Sequence, residues 1–173
     1  MTTPSEERSN RDIQRGTQVF WAFVPGVPKP HGSKSAFPFR RKDGSLGAAV
    51  TDSSGKAGKA WRAQLAGVLT EEWGDGLLLQ GPLILDLRFL MPRPKSHMGT
   101  GRNAGALKAG APKFHIVAPD KTKLTRCVED ALTGIVYADD RQVVDGHQRK
   151  EYAFGFEQPG VLISIYRPIG VDP

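Results

Sequence analysis

The sequence contains a single cysteine, Cys127, among its 173 residues. One cysteine excludes a disulfide within the chain and any zinc site that needs several cysteines, and a reducing, cytosolic environment is expected. No apolar run approaches the ~20 residues that a membrane-spanning helix requires. The first residues also lack the apolar segment of a secretory signal, so we expect neither a secreted domain nor a membrane protein.

Apolar residues are scarce in two segments. Residues 1–17 contain almost nothing to bury, and residues 92–113 are rich in proline, glycine and basic residues. Low hydrophobicity with many charges predicts disorder, and a long stretch without regular structure inside a domain is functional or disordered. We therefore predict a disordered lead-in over 1–17, one domain over 18–170, and a flexible loop at about 92–113.

Basic residues outnumber acidic ones, with 24 Lys and Arg against 18 Asp and Glu and a net charge of +6. A basic surface attracts the phosphates of nucleic acids. Charge alone slightly favours the plainer interpretation, that +6 keeps the protein soluble.

Apolar periodicity indicates an α+β domain with a mixed β-sheet and two main helices. The helices are predicted over about Gly58–Trp73 and Lys121–Thr133. A hairpin is predicted around Asp43-Gly44, because Asp-Gly in a short polar loop favours a tight turn. Strands are predicted over residues 19–24, 36–39, 47–51, 82–91, 135–137, 142–144, 151–156 and 161–167.

Acidic and basic residues mark the start of the second helix. Asp120 follows Pro119, which places it at the helix mouth, and it starts a polar stripe that continues with Lys123, Arg126 and Asp130. The alternatives are that Asp120 is only an N-cap and that the stripe is an ordinary solvated face with i,i+4 pairs.

Asp139-Asp140 follows between two short apolar segments. An adjacent pair of acids is most often a turn, and at most one of the two side chains can point at a given face. Combined with Asp120 and the two cations of the stripe, however, the pair fits phosphodiester hydrolysis. Mg²⁺ is typically held by one or two carboxylates, and neighbouring cations bind the phosphate oxygens.

Two longer strings make the pattern recognisable. Residues 120–126 (DKTKLTR) and 130–144 (DALTGIVYADDRQVV) resemble the signature of the RusA family of Holliday-junction resolvases. Residues 23–29 (FVPGVPK) and 150–152 (KEY) resemble phage-borne members of that family. The resemblance covers about residues 19–167.

The resemblance implies a RusA-like fold and an endonuclease that resolves four-way DNA junctions by paired symmetric nicks, in DNA recombination and repair. It further implies Mg²⁺ as the cofactor, with Mn²⁺ as an alternative, and a homodimer that binds branched DNA. A bacterial cytoplasm would be its location, with a phage or prophage origin.

The resemblance also assigns roles to residues. Catalysis falls to Asp120, Asp140 and Arg126, and metal binding to Asp120 and Asp140, with Asp139 and Asp130 as further candidates. The basic residues expected to contact DNA are Lys29, Lys34, Arg40, Arg41, Lys123, Arg126 and Lys150.

Thr122 departs from the family pattern, because a catalytic aspartate of the family aligns with it. Either Asp130, Glu129 or Asp139 substitutes for that acid, or the protein is a catalytically weakened junction-binding protein. A third interpretation is a single-strand binder, since Phe37 and Phe39 adjoin a basic run and such proteins stack bases on exposed aromatics.

Overall fold

The computed structural model describes residues 13–32, 34–52 and 55–170, with the backbone alone for 34–37 and 49–52. The predicted α+β domain with a mixed sheet and two helices is confirmed. The strands and α-helices in the described residues are β1 Arg15–Pro25, β2 Lys34–Arg40, β3 Leu46–Asp52, α1 Gly55–Trp73, β4 Leu83–Met91, α2 Lys121–Leu132, β5 Val143–Asp145, β6 Gln148–Tyr152 and β7 Gly160–Pro168.

β4 lies at the centre of the main sheet. One of its edges pairs antiparallel with β7, which in turn pairs antiparallel with β1. Its other edge carries β5 at one end and β6 at the other, both parallel to it. β2 and β3 form a separate antiparallel hairpin, as the Asp43-Gly44 pattern predicts. Both β5 and β6 are therefore fixed by a single strand edge.

The helices cover one face of this sheet and bury their apolar sides against it. Leu85 and Phe89 of β4 belong to the resulting core, as the alternation along the strand predicts. Cys127 is also fully buried, on the apolar face of α2. The buried residues of the two helices are Gly58, Trp61, Leu65 and Leu69 of α1 and Leu124, Cys127, Val128 and Leu132 of α2. Among the described helices, none is both long and apolar enough to cross a membrane.

The opposite face of β4 carries ion pairs. Arg15 Nε lies 2.8 Å from Asp86 Oδ2, and the Nη2 atom of Arg88 lies 2.8 Å from Glu157 Oε1. Arg88 also pairs with Glu151. Burial opposes the ionisation of Asp86, but the hydrogen bonds from Arg15 and His147 lower its pKa overall. The polar side chains of this strand are thus held in contacts within the protein.

β1 starts earlier than the sequence predicts. Its first residue, Arg15, pairs with Pro168 of β7 and reaches Asp86 with its guanidinium group. The expectation that the lead-in extends to residue 17 is therefore wrong at its C-terminal end. These contacts stabilise a stretch that has few apolar residues. Residues 1–12 of the predicted lead-in lie outside the described residues.

Two predicted strands also differ from the structure. Residues 135–137 form a turn in which Leu132 O accepts hydrogen bonds from Ile135 N and Val136 N. Gly134 has a φ of 79°, so the chain reverses after it. The predicted strand at 151–156 corresponds to β6, which ends at Tyr152 because the Glu157 carboxylate accepts from Phe154 N and closes a turn.

The described segment from 92 to 113 contains two short 3₁₀ turns, Lys95–His97 and Gly101–Asn103. Arg93 holds both of its ends, since Nε donates to Ala153 O at 3.0 Å and Nη1 donates to Pro112 O at 3.0 Å. Irregular backbone is thus anchored to the sheet at its base. That the segment is flexible stays a prediction.

Gly146 is expected to be essential for the crossing between β5 and β6. A Cβ at this position would lie 1.9 Å from Leu85 O, so Gly146→Ala should lower the free energy of unfolding by about 1–3 kcal/mol or more. Gly67→Ala is the matched control, because an added Cβ meets nothing within 4 Å there. It should instead stabilise α1 by about 0.5–1 kcal/mol. Urea denaturation of both variants measures the difference, and equal effects would contradict the argument.

Candidate active site

Asp120 stands at the mouth of α2 with its carboxylate in solvent. It has the extended backbone of an N-cap (φ −65°, ψ 138°), but its side chain accepts no capping hydrogen bond from the described helix. The side chain is 71% exposed, and Lys123 Nζ lies 3.7 Å from its Oδ2 atom. The carboxylate is therefore available for a ligand rather than engaged in capping.

The segment that precedes Asp120 runs beside β6. Tyr152 N donates to Lys113 O at 3.0 Å, and His115 N donates to Lys150 O at 3.2 Å. The Lys150 ammonium group donates to Val117 O at 2.7 Å and to Pro119 O at 2.6 Å. Lys150, expected from the sequence to contact DNA, thus turns its charge towards the protein's own carbonyl groups.

A second segment crosses the polar stripe of α2. His31 N donates to Lys123 O at 3.0 Å, and His31 Nδ1 lies 2.8 Å from Asp130 Oδ2. This crossing brings Lys29 to the same cleft as Asp120. The cleft is lined by Lys29, Met91, His115, Pro119, Asp120 and Lys123, among others.

The Asp139-Asp140 pair is divided between two tasks, as opposite side-chain directions predict. Asp139 caps the 3₁₀ turn Asp140–Gln142, and its Oδ1 atom accepts from Arg141 N at 3.0 Å. Its Oδ2 atom lies 3.4 Å from Arg141 Nε. The Asp140 side chain is exposed. Asp139 therefore maintains the turn that presents Asp140.

Gln142 fixes that turn to the rest of the domain. Its Oε1 atom accepts from Ala138 N and Asp139 N, both at 3.0 Å. Its Nε2 atom donates to Leu79 O at 2.9 Å and to Gly81 O at 3.0 Å. One amide group thus joins the turn to the chain that leads into β4.

Asp140 faces the C-terminal half of α2, where a second acid lies. The pKa of the half-buried Glu129 carboxyl is raised by burial and by the negative charges of Asp140 and Asp130, while Arg126 opposes the shift. Burial and the charge of Glu129 also raise the pKa of Tyr137, which is fully buried and donates to Glu129 O at 3.2 Å. A cation beside these carboxylates would relieve their repulsion.

The acids lie towards opposite ends of α2. Asp120 and Glu129 are nine positions apart, or about 13 Å along a helix that rises 1.5 Å per residue. In the described parts of one chain, no group of three or more His, Cys, Asp or Glu residues is placed to hold a metal ion. Among the described residues, two acidic positions therefore lie at the ends of α2: Asp120, and the pair Glu129–Asp140.

The structure separates the candidates for replacing the family acid at Thr122, which is exposed on the first turn of α2. Asp130 is paired with His31, and Asp139 caps its turn. Glu129 is the remaining candidate, and the negative charge of Asp140 contributes to the raised pKa of its carboxyl group. The sequence offers Glu129 as a candidate but does not distinguish it from the other two acids, because its half-buried place depends on how α2 packs.

Other basic candidates belong to the β2–β3 hairpin. Arg40 and Arg41 are exposed at the end of the β2–β3 hairpin, and Phe39, which is 46% exposed, places its ring against Gly47. The Lys34 and Phe37 side chains lie outside the described ones. Arg126 is exposed on α2, as its place on the polar stripe predicts.

His31 and His115 are contributions that the sequence did not reveal. His115 lines the cleft beside Asp120 and is only 9% exposed, with its ring centroid 4.9 Å from that of Tyr152. Burial, together with the charge of Lys150, lowers the pKa of His115. Scattered histidines carry no periodic signal, so only the fold could place them at the site.

The chain matches the family model described as endodeoxyribonuclease RusA over residues 25–166, and it belongs to that family. The matched range contains both acidic positions and the strands that hold them. The chain is also 31% identical to the uncharacterized protein YqaN of Bacillus subtilis (strain 168) over 88 residues. That alignment covers 51% of this chain and 59% of the relative.

Removal of the Gln142 amide should loosen the turn that presents Asp140. Gln142→Ala leaves two N–H groups and two carbonyl groups without this partner, and we expect a loss of about 1–3 kcal/mol in the free energy of unfolding. Gln158→Ala, at an exposed position, is the control and should change stability little. Urea denaturation compares the two, and equal stability would argue against the anchoring role.

Proposed function

We propose that the protein is a Mg²⁺-dependent endonuclease that cuts four-way DNA junctions by paired symmetric nicks. The observation that carries the proposal is the presentation of Asp140, on a turn held by Gln142, beside Glu129 and Arg126 of α2. Family membership supports a DNA-cutting activity that requires a divalent metal ion. The choice of Mg²⁺ as the metal ion, with Mn²⁺ as an alternative, rests on the oxygen ligands that the candidate side chains offer.

The donor set fits a divalent cation. Exposed carboxylates at Asp120 and Asp140 are hard oxygen ligands. Burial and the negative charges of Asp140 and Asp130 raise the pKa of Glu129, so a cation beside this carboxyl group would be favourable. Mg²⁺ is usually held by one or two carboxylates and keeps several waters, so Asp140 with Glu129, or Asp120, would suffice. The cation would supply charge neutralisation at the phosphate and activation of the attacking water.

The protein's own cations would bind and orient the DNA backbone. Arg126 can reach a phosphate from the polar stripe of α2, next to the Glu129–Asp140 pair. Lys29 and Lys123 line the cleft beside Asp120 and can do the same there. Arg40 and Arg41, at the end of the hairpin, would contact a more distant arm. Fixed positive charges stabilise the charge that develops on a phosphate during hydrolysis.

We also propose a homodimer, acting in DNA recombination and repair in a bacterial cytoplasm, with a phage or prophage origin. A four-way junction has approximate two-fold symmetry, and an isologous dimer makes two symmetric cuts most simply. Light scattering at micromolar concentration, with and without DNA, tests this and should give twice the chain mass of 18.8 kDa. A monomer under both conditions would overturn the dimer.

A catalytically weakened junction-binding protein is the second candidate. Thr122 stands where the family has an acid, and no three-residue metal cluster forms among the described residues of one chain. The two candidates share the DNA-binding surface and differ only in cleavage. A labelled four-way junction incubated with the protein, with and without Mg²⁺, separates them from each other.

Asp140→Asn should abolish junction cleavage while binding survives or tightens, because it removes a metal ligand and one charge that repels phosphate. Asp145→Asn is the matched control, since Asp145 is also exposed and lies only five residues away, in β5. Single-turnover cleavage and gel-shift titration measure the two properties. A near-wild-type nicking rate in the Asp140 variant would refute its catalytic role, and junction binding without cleavage by the unmodified protein would favour the second candidate.

A further inference from the structure

Lys150 has contacts that the proposed function does not use. Its ammonium group donates to Val117 O at 2.7 Å and to Pro119 O at 2.6 Å. These carbonyls belong to the irregular segment that immediately precedes Asp120. A phosphate-binding lysine keeps its ammonium group in solvent, whereas two of the three donors of this one are committed to the protein's own backbone.

The surroundings of Lys150 agree with an internal role. Its side chain is partly buried, and burial lowers its pKa while the negative charge of Asp120 opposes that shift. The backbone of Lys150 is fixed within β6, where it pairs with Phe89 of β4. The side chain therefore extends from a paired strand, and its ammonium group binds a segment without regular structure.

The segment from 113 to 120 depends on few other backbone contacts. Its backbone is joined to β6 near Lys113 and His115, whereas the backbone of the described residues 116–119 makes no hydrogen bond to the backbone of β6. The Ile116 and Val117 side chains are 89% and 59% exposed, so little apolar packing holds this stretch. Lys150 binds two carbonyl groups of this stretch, those of Val117 and Pro119, and the His115 ring makes a further hydrogen bond with the Val117 backbone.

We propose that Lys150 is a positioning residue, which binds the carbonyl groups of Val117 and Pro119 and thereby holds the Asp120 carboxylate at the mouth of α2 for catalysis. The inference rests on the proposed function, since it assumes that Asp120 serves the cleaved phosphate. It replaces the expectation that Lys150 contacts DNA. A carboxylate displaced by about 1 Å can cost ~100-fold in rate, so a lost anchor acts on catalysis rather than on binding.

The test compares Lys150→Met, which keeps the length of the side chain and removes its donors and charge, with Lys59→Met. Lys59 is exposed on α1, so the control carries the same chemical change and the same net charge. Three properties are measured: the junction dissociation constant against salt in Ca²⁺, the single-turnover cleavage rate in Mg²⁺, and amide hydrogen exchange over 113–123 without metal or DNA.

We expect Lys150→Met to bind junctions with the dissociation constant and salt dependence of the control. Its cleavage rate should fall by about tenfold to 100-fold, and exchange should accelerate near Asp120 while that of β4 and β7 stays unchanged. Weaker binding with a salt slope smaller by about 0.9, the value for one phosphate contact, would make Lys150 a DNA ligand. Unchanged cleavage and exchange would also overturn the proposal.

A second variant covers the case in which Lys150→Met does not fold. Lys150→Gln keeps an amide donor of shorter reach and is measured in the same way. Unfolding of both variants would make Lys150 a residue of general structural importance and overturn the positioning role. If the unmodified protein cuts no junction at all, the proposed function fails, and the exchange experiment still decides whether Lys150 holds the segment.

Discussion

The edge of β4 that faces away from β7 determines where both acidic positions lie. β5 pairs with the first residues of β4 and β6 with the last ones, in parallel. The turn that presents Asp140 leads directly into β5, and Lys150, which holds the segment before Asp120, belongs to β6. Because one continuous strand fixes both short strands, the two acidic positions are kept in a constant relation.

Close approach at Gly146 makes this arrangement possible. The chain passes from β5 to β6 against the backbone of β4, where Leu85 O leaves no space for a Cβ. The Asp86 carboxylate accepts from His147 N at 2.7 Å, and Leu87 N donates to His147 O at 2.8 Å. The connection between the two strands therefore keeps two hydrogen bonds to the strand beside it, which hold β5 and β6 on one edge.

Much of the fold could be predicted from the sequence, because apolar periodicity reports burial directly. The alternation in β4 and the apolar face of α2 both correspond to the observed core. The predicted strand at 135–137 was wrong, since Val136 and Tyr137 fill the core from a turn whose pairing with the preceding chain is limited to isolated bridges, among them one between Leu79 and Tyr137. A short apolar run does not distinguish these cases.

The candidate site was only partly accessible to sequence reasoning. The motif predicts Asp120 and Asp140 as site residues, and both side chains are exposed. The sequence does not reveal the role of each neighbouring polar residue, since nothing in it distinguishes Lys150 from Lys123. The difference arises from tertiary contacts: Lys150 meets two carbonyl groups, whereas Lys123 meets the carboxylate of Asp120 at 3.7 Å.

The two acidic positions are built on the same physical principle. An exposed carboxylate on an irregular segment is not held by side-chain packing, so its position must be fixed through the backbone of that segment. Gln142 supplies this for Asp140 through four hydrogen bonds, and Lys150 supplies it for Asp120 through two. Both anchors bind main-chain groups rather than the carboxylates, which leaves the acidic oxygens available to a cation and to water.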